Sequence, residues 1–128
     1  MTELYGERQI RENELEPIPN PAPDRPYLVT HDCPEFTCLC PRSGFPDFAS
    51  IHIEYVPAGH VVELKSLKLY INGYRDQHVF HEAAVNRILD DLVGAVHPAW
   101  MRVTGDFNVR GNIKTVITAQ HGERPAGV

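Results

Sequence analysis

One apolar stripe limits the fold of this 128-residue chain more than any other feature. Val85, Ile88, Leu89, Leu92, Val93 and Val96 recur at i, i+3, i+4, i+7, i+8 and i+11. That spacing predicts a helix over residues 82–96 with a single apolar face. Asp90 and Asp91 fall on the opposite side, and Pro98 ends the pattern. Such a face must be buried against a sheet or another helix. The residues that follow supply a sheet. Met101, Val103, Gly105, Phe107 and Val109 alternate with Arg102, Thr104, Asp106 and Asn108. Ile113, Thr115, Ile117 and Ala119 then alternate with Lys114, Val116 and Thr118. Arg110-Gly111-Asn112 is a compact turn between them, so the two runs predict a hairpin.

The first half of the chain reads in the same terms. In residues 49–56, Ile51, Ile53 and Tyr55 alternate with His52 and Glu54, which predicts a half-buried strand. Residues 27–40 read as extended structure interrupted at Pro34. Residues 63–74 place Leu64, Leu67, Ile71 and Tyr74 at helical spacing, with Lys65 and Lys68 on a neighbouring face. The expected order is ββααββ: an α+β domain, an antiparallel sheet with two helices packed on one face, spanning residues 27–128. Its two free edges call for cover, and pairing edge to edge into a ring would make a homo-oligomer.

Residues 1–26 read as a Pro-rich acidic arm, with Glu3, Glu7, Glu12, Glu14 and Glu16 ahead of five prolines between Pro17 and Pro26. The prolines forbid a regular helix through that run and favour an extended path. The expectation is a poorly ordered tail or an arm laid on a neighbour.

Charge and hydropathy exclude several function classes. With 12 Lys+Arg against 17 Asp+Glu, the net charge of −5 argues against a broad nucleic-acid surface. No apolar run approaches the ~18 residues of a membrane span, and the first residues lack the apolar core of a secretory signal. A cytoplasmic location is expected.

Chemistry concentrates in a few places. Cys33, Cys38 and Cys40 lie close together, an odd number that does not suggest a disulfide framework. Cys40 opens the tight loop CPRSGFPDF, with Arg42 near it and Asp47 at its end. A thiol and a carboxylic acid in one loop suit addition and proton transfer; plain burial of both is the alternative reading. Cys33, Cys38, Cys40, His31 and His52 are of zinc-ligating types, but their spacing is not a common zinc pattern, and no metal is expected. Glu82, next to His81, could accept two parallel hydrogen bonds from a guanine-like edge, or could simply favour a helix N-terminus. Lys65 and Lys68 could clamp a phosphate, or could form a solvated helix face. Arg110-Gly111 could add a second cation there. No G-x-G-x-x-G supports a Rossmann site.

Taken together, CPEFTCLCPRSGFPDFA, ELKSLKLY and FHE closely resemble the NADPH-dependent 7-cyano-7-deazaguanine reductases, the nitrile reductases of queuosine biosynthesis in the tunnelling-fold superfamily. The resemblance runs from about Tyr27 to Gln120. It implies that Cys40 is the nucleophile and Asp47 the proton donor. It implies that Val62, Glu63, Leu64, His81 and Glu82 line the substrate site, with Glu82 on the deazaguanine edge. Lys65, Ser66 and Lys68 match the NADPH motif, and Arg110 and Gly111 match a further cofactor contact. The implied reaction takes a nitrile to a primary amine with two NADPH through a Cys40 thioimidate. The implied partners are a small 7-deazapurine and further copies of the chain, without direct nucleic-acid contact. A tunnelling-fold amidinotransferase acting on RNA shares the Cys and Asp but lacks the lysines. A zinc cyclohydrolase-type enzyme and a non-catalytic purine-binding module are the remaining readings.

Overall fold

A computed structural model describes residues 2–128. The ββααββ core forms as the periodicities require. Strands β2 (Val29–Leu39), β3 (Pro46–Val56), β5 (Trp100–Arg110) and β6 (Ile113–Gly122) make one antiparallel sheet in the order β2-β3-β5-β6. Helices α2 (Leu64–Asn72) and α3 (His81–Val96) cover one face, joined by a 3₁₀ turn over Gly73–Asp76. Ile51, Ile53 and Tyr55 of β3, Met101, Val103 and Phe107 of β5, and Val85, Ile88, Leu92 and Val96 of α3 are all buried in one core. Pro34 interrupts β2 as expected, since the β2–β3 ladder shifts between Cys33 and Phe36. His97, in the left-handed region at φ 46°, closes α3 ahead of Pro98.

Two details fix how the sheet meets its helix and its turn. Gly105 sits where α3 presses closest: a Cβ there would lie 2.5 Å from Val85 Cγ2 and 2.9 Å from Phe107 Cε1. At the hairpin tip, Arg110 pairs with Ile113, and Gly111 and Asn112 take φ of 54° and 74°. Two adjacent left-handed residues are what a tight, twist-matched hairpin loop requires.

The arm differs from a tail. Residues ahead of the prolines form a helix, α1 (Tyr5–Glu12), and β1 (Pro17–Pro19) pairs antiparallel with the short β4 (His60–Val62). Glu63 N–H donates to Glu16 O and Asn20 N–H to Gly59 O, both at 2.9 Å. Ladder bonds at Glu16 and Asn20 leave Pro17 and Pro19 at positions that need no donor, so the prolines fit an edge strand. Asn20, 8% exposed, fastens the next turn. Its Nδ2 donates to Ala58 O at 2.8 Å, and its Oδ1 accepts from Ala22 N–H at 2.9 Å and Tyr27 O–H at 2.5 Å. The sequence missed this docking because only the partner residues 58–63 reveal it. No helix among the described residues is long and apolar enough to cross a membrane.

Gly105→Ala is expected to lower stability by about 1–3 kcal/mol through overpacking, measured by urea unfolding. Asn20→Ala is expected to cost about 1–3 kcal/mol by stranding buried polar groups.

Candidate active site

The site begins where the β2–β3 ladder ends, at the Leu39–Pro46 pair. At the end of β2, Leu39 N–H donates to Gln77 O at 2.9 Å and Leu39 O accepts from Val79 N–H at 3.0 Å. This parallel tie holds the end of β2 against the residues just before α3. Cys40, the next residue, is thereby brought to the start of α3, where His81 and Glu82 stand. Across the β2–β3 ladder, Cys38 faces Asp47, which places the carboxylate beside the same loop. The loop is closed by Cys40 N–H to Phe45 O at 2.8 Å and Gly44 N–H to Cys40 O at 2.9 Å.

Asp47 is 3% exposed, so its carboxylate must be paired. Oδ2 lies 3.0 Å from His81 Nε2, and Oδ1 forms an ion pair with the Arg110 guanidinium. The His81 ring stacks on Phe107, with centroids 3.9 Å apart and planes at 9°. Phe107 is an inward residue of β5, and nothing in its alternation pattern reveals this second task.

The three thiols are sorted by their surroundings. Hydrogen bonds from Ser43, then the Arg42 backbone and Arg110, draw the Cys40 thiol down from the ordinary 9.0 to about 7. The Ser43 N–H lies 3.5 Å from Cys40 Sγ. Burial pushes Cys38 up to about 11, and also raises Cys33. Of the three thiols only Cys40 is shifted toward the thiolate, the reactive form. Cysteine, histidine and carboxylate side chains form no group able to hold a metal ion among the described residues.

A cavity of about 420 Å³ lies beside this cluster, lined by His81, Asn108, Arg110, Gly111, Ile113 and Thr115. Glu82, in the first turn of α3, is exposed and has no ion pair among the described residues.

The other residues singled out in the sequence stand elsewhere. Val62 is 7% exposed with its side chain in the core, whereas Leu64 is 65% exposed. Glu63 caps α2, its carboxylate accepting from Lys65 N–H at 2.7 Å and Ser66 N–H at 2.8 Å. Ser66 is buried, and its hydroxyl is already taken: it donates to Glu63 O at 2.8 Å and accepts from Glu16 N–H of the arm at 3.0 Å. Lys65 and Lys68 are exposed, and their ammonium groups form no ion pair among the described residues. They suit the phosphates of a dinucleotide. Lys68 borders a cavity of about 360 Å³ against β2, and Lys65 one of about 300 Å³ against the arm; neither cavity includes Cys40, Asp47 or His81.

Strand length explains the separation. Asp47 is near the start of β3, and α2 begins beyond its far end, after Val56 and the turn. Nine residues of extended chain span roughly 30 Å. One chain therefore carries the Cys40 cluster and the α2 lysines, two candidate half-sites, toward opposite ends of its sheet.

Comparison with known proteins shows the family of the chain. The QueF-like protein family matches residues 46–126. An NADPH-dependent 7-cyano-7-deazaguanine reductase of an Anaeromyxobacter species is 62% identical over 115 residues, covering 90% of this chain and 94% of that protein. A Synechococcus protein of the same name is 57% identical over 123 residues, covering 96% of this chain and 95% of its own. The solved apo structure of the archaeosine synthase QueF-Like superposes with a TM-score of 0.73 at 25% identity, over 80% of this chain and 100% of that one.

Alkylation by iodoacetamide is expected to strike Cys40 first and to reach half its maximal rate near pH 7, rising with pH as the thiolate forms. Peptide mapping of the label checks this, with Cys38 unlabelled until the fold is opened. On matched residues, identity and fold, this chain is a member of the QueF-like family of NADPH-dependent 7-cyano-7-deazaguanine reductases.

Proposed function

We infer that this chain is an NADPH-dependent nitrile reductase that converts 7-cyano-7-deazaguanine to its 7-aminomethyl form, in queuosine biosynthesis, by way of a thioimidate on Cys40. The observation that carries the reading is the meeting of one activated thiol with one buried, doubly paired carboxylate at the start of α3. The names of relatives at 54–62% identity support the reductase and its cofactor.

A nitrile carbon accepts hydride poorly. Cys40 attacks that carbon while Asp47 passes a proton to the nitrogen, which gives a thioimidate whose C=N is far more electrophilic. NADPH, when bound, supplies one hydride at this stage and a second NADPH another at the imine. Between the two, Cys40 leaves as a thiolate, a step its lowered proton affinity favours. Glu82 is free to accept the paired N–H donors of the deazaguanine edge. His81, stacked flat on Phe107, fixes the floor of the site and orients Asp47. Lys65 and Lys68 hold cofactor phosphates as point charges. The imine must be kept from water, so the site is closed during turnover.

Closure and the two half-sites lead to the same assembly. The lysines of one copy complete the Cys40 cluster of another. The free edges of β2 and β6 offer the means, pairing copies edge to edge into a ring. The archaeosine synthase neighbour keeps the transferase reading in view, and the paired lysines favour reduction.

The test is NADPH oxidation with 7-cyano-7-deazaguanine. Two NADPH are expected per amine formed, with no oxidation by Cys40→Ala. A Cys40 adduct without oxidation would turn the reading to a transferase, and neither adduct nor oxidation by folded protein would reject it. Replacing Lys65 and Lys68 together by Ala is expected to raise the KM for NADPH at least about tenfold, ~1.4 kcal/mol, while the adduct still forms. Dilution to monomers is expected to abolish turnover.

A further inference from the structure

The resemblance places Arg110 with the cofactor, but the fold places it on the chemistry. We propose that Arg110 belongs to the nitrile-addition machinery: its guanidinium, paired with the buried Asp47 carboxylate, holds the proton-transferring side chain and a fixed positive charge beside the Cys40 loop before substrate arrives. This rests on the reading of Cys40 as nucleophile and Asp47 as proton donor.

Arg110 ends β5 at a point where the β5–β6 ladder shifts, between Phe107 and Arg110. From there its side chain reaches Asp47 Oδ1. The neighbouring Cys40 thiol and Asp47 carboxylate both favour the protonated guanidinium. The other titratable groups facing the pair are His81 from α3, on Asp47 Oδ2, and Cys38 from β2, a buried neutral thiol. The catalytic loop contributes only N–H and hydroxyl donors from Ser43 and a backbone N–H from Arg42.

Arginine does not lose its proton in a protein, so the pairing with Asp47 Oδ1 sets a fixed positive charge beside the loop that carries Cys40. In the addition the sulfur–carbon bond forms, one π bond of the nitrile breaks, and the proton of the thiol moves through Asp47 to the nitrogen. Asp47 is left as a carboxylate facing Arg110. No outside acid, base or oxidant enters the step.

The role separates from cofactor binding because addition needs no NADPH. The experiment mixes 7-cyano-7-deazaguanine with native, Arg110→Gln and Arg110→Lys protein without NADPH, and follows the Cys40 adduct by mass spectrometry. A parallel series measures iodoacetamide alkylation against pH. Arg110→Gln is expected to slow adduct formation at pH 7 on the order of a hundredfold, and to move the alkylation half-point upward from about 7, by less than loss of the Ser43 and Arg42 hydrogen bonds would. Arg110→Lys, which keeps the charge, is expected to recover much of both. Arg110→Met carries the same test should the glutamine protein fail to fold. Adduct formation by the neutral variant at the native rate, with only its NADPH dependence weakened, would overturn the proposal and leave Arg110 a cofactor contact. Absence of adduct in the native protein would instead reject the thioimidate reading beneath it.

Discussion

The carboxylate of Asp47 is the constraint around which this end of the molecule is arranged. A group 3% exposed cannot stay ionised without partners on both oxygens. Neither partner is near it in sequence. His81 arrives with the first turn of α3, and Arg110 with the tip of the β5–β6 hairpin. The left-handed Gly111-Asn112 turn, the shift in the β5–β6 ladder, the tie of Leu39 to Gln77 and Val79, and the stack of His81 on Phe107 all bring these partners into range. Each is a fold-level device with a local chemical outcome.

The same strands that build this cluster keep the α2 lysines away from it. An eleven-residue β3 makes a stable sheet and buries Ile51, Ile53 and Tyr55, but it also carries α2 toward the far end. A shorter strand would join the lysines to the thiol at the expense of the core. In the proposed assembly, sharing sites between copies satisfies both demands and gives the outer edges of β2 and β6 a use beyond cover.

What could be read from the sequence was whatever depends on short-range period. The α3 stripe, the alternations in β3 and β5, the stop at Pro98, the break at Pro34 and the Gly-Asn hairpin tip are local signals, and the fold follows them. The candidate site residues came as a set from the resemblance, and their types alone did not show which belong together. Cys40, Asp47, His81 and Arg110 converge through pairings forty or more residues apart at their longest, such as Arg110 with Asp47. Phe107 gave no signal, because a core aromatic and a platform for imidazole look alike in an alternating strand. The arm was hidden for a related reason: its prolines forbid helix locally, yet α1 lies before them, and only β4 reveals that Pro17 and Pro19 fit an edge.

Ser66 shows why motif residues must be placed before they are given roles. Its neighbours Lys65 and Lys68 point cations outward, but its own hydroxyl is spent between Glu63 O and the Glu16 N–H. Asn13 adds a third tie, its Nδ2 donating to Ser66 O at 3.0 Å. With Glu63 capping the same turn, three arm and loop residues converge on the first turn of α2. Two flexible lysines bind phosphate usefully only if the helix bearing them is fixed, since each loses rotamer entropy on binding. The arm supplies that fixing from within the same chain. A serine between two lysines is then a joint that holds the lysines' helix in place, and under the proposed function its contribution to the cofactor is made through them.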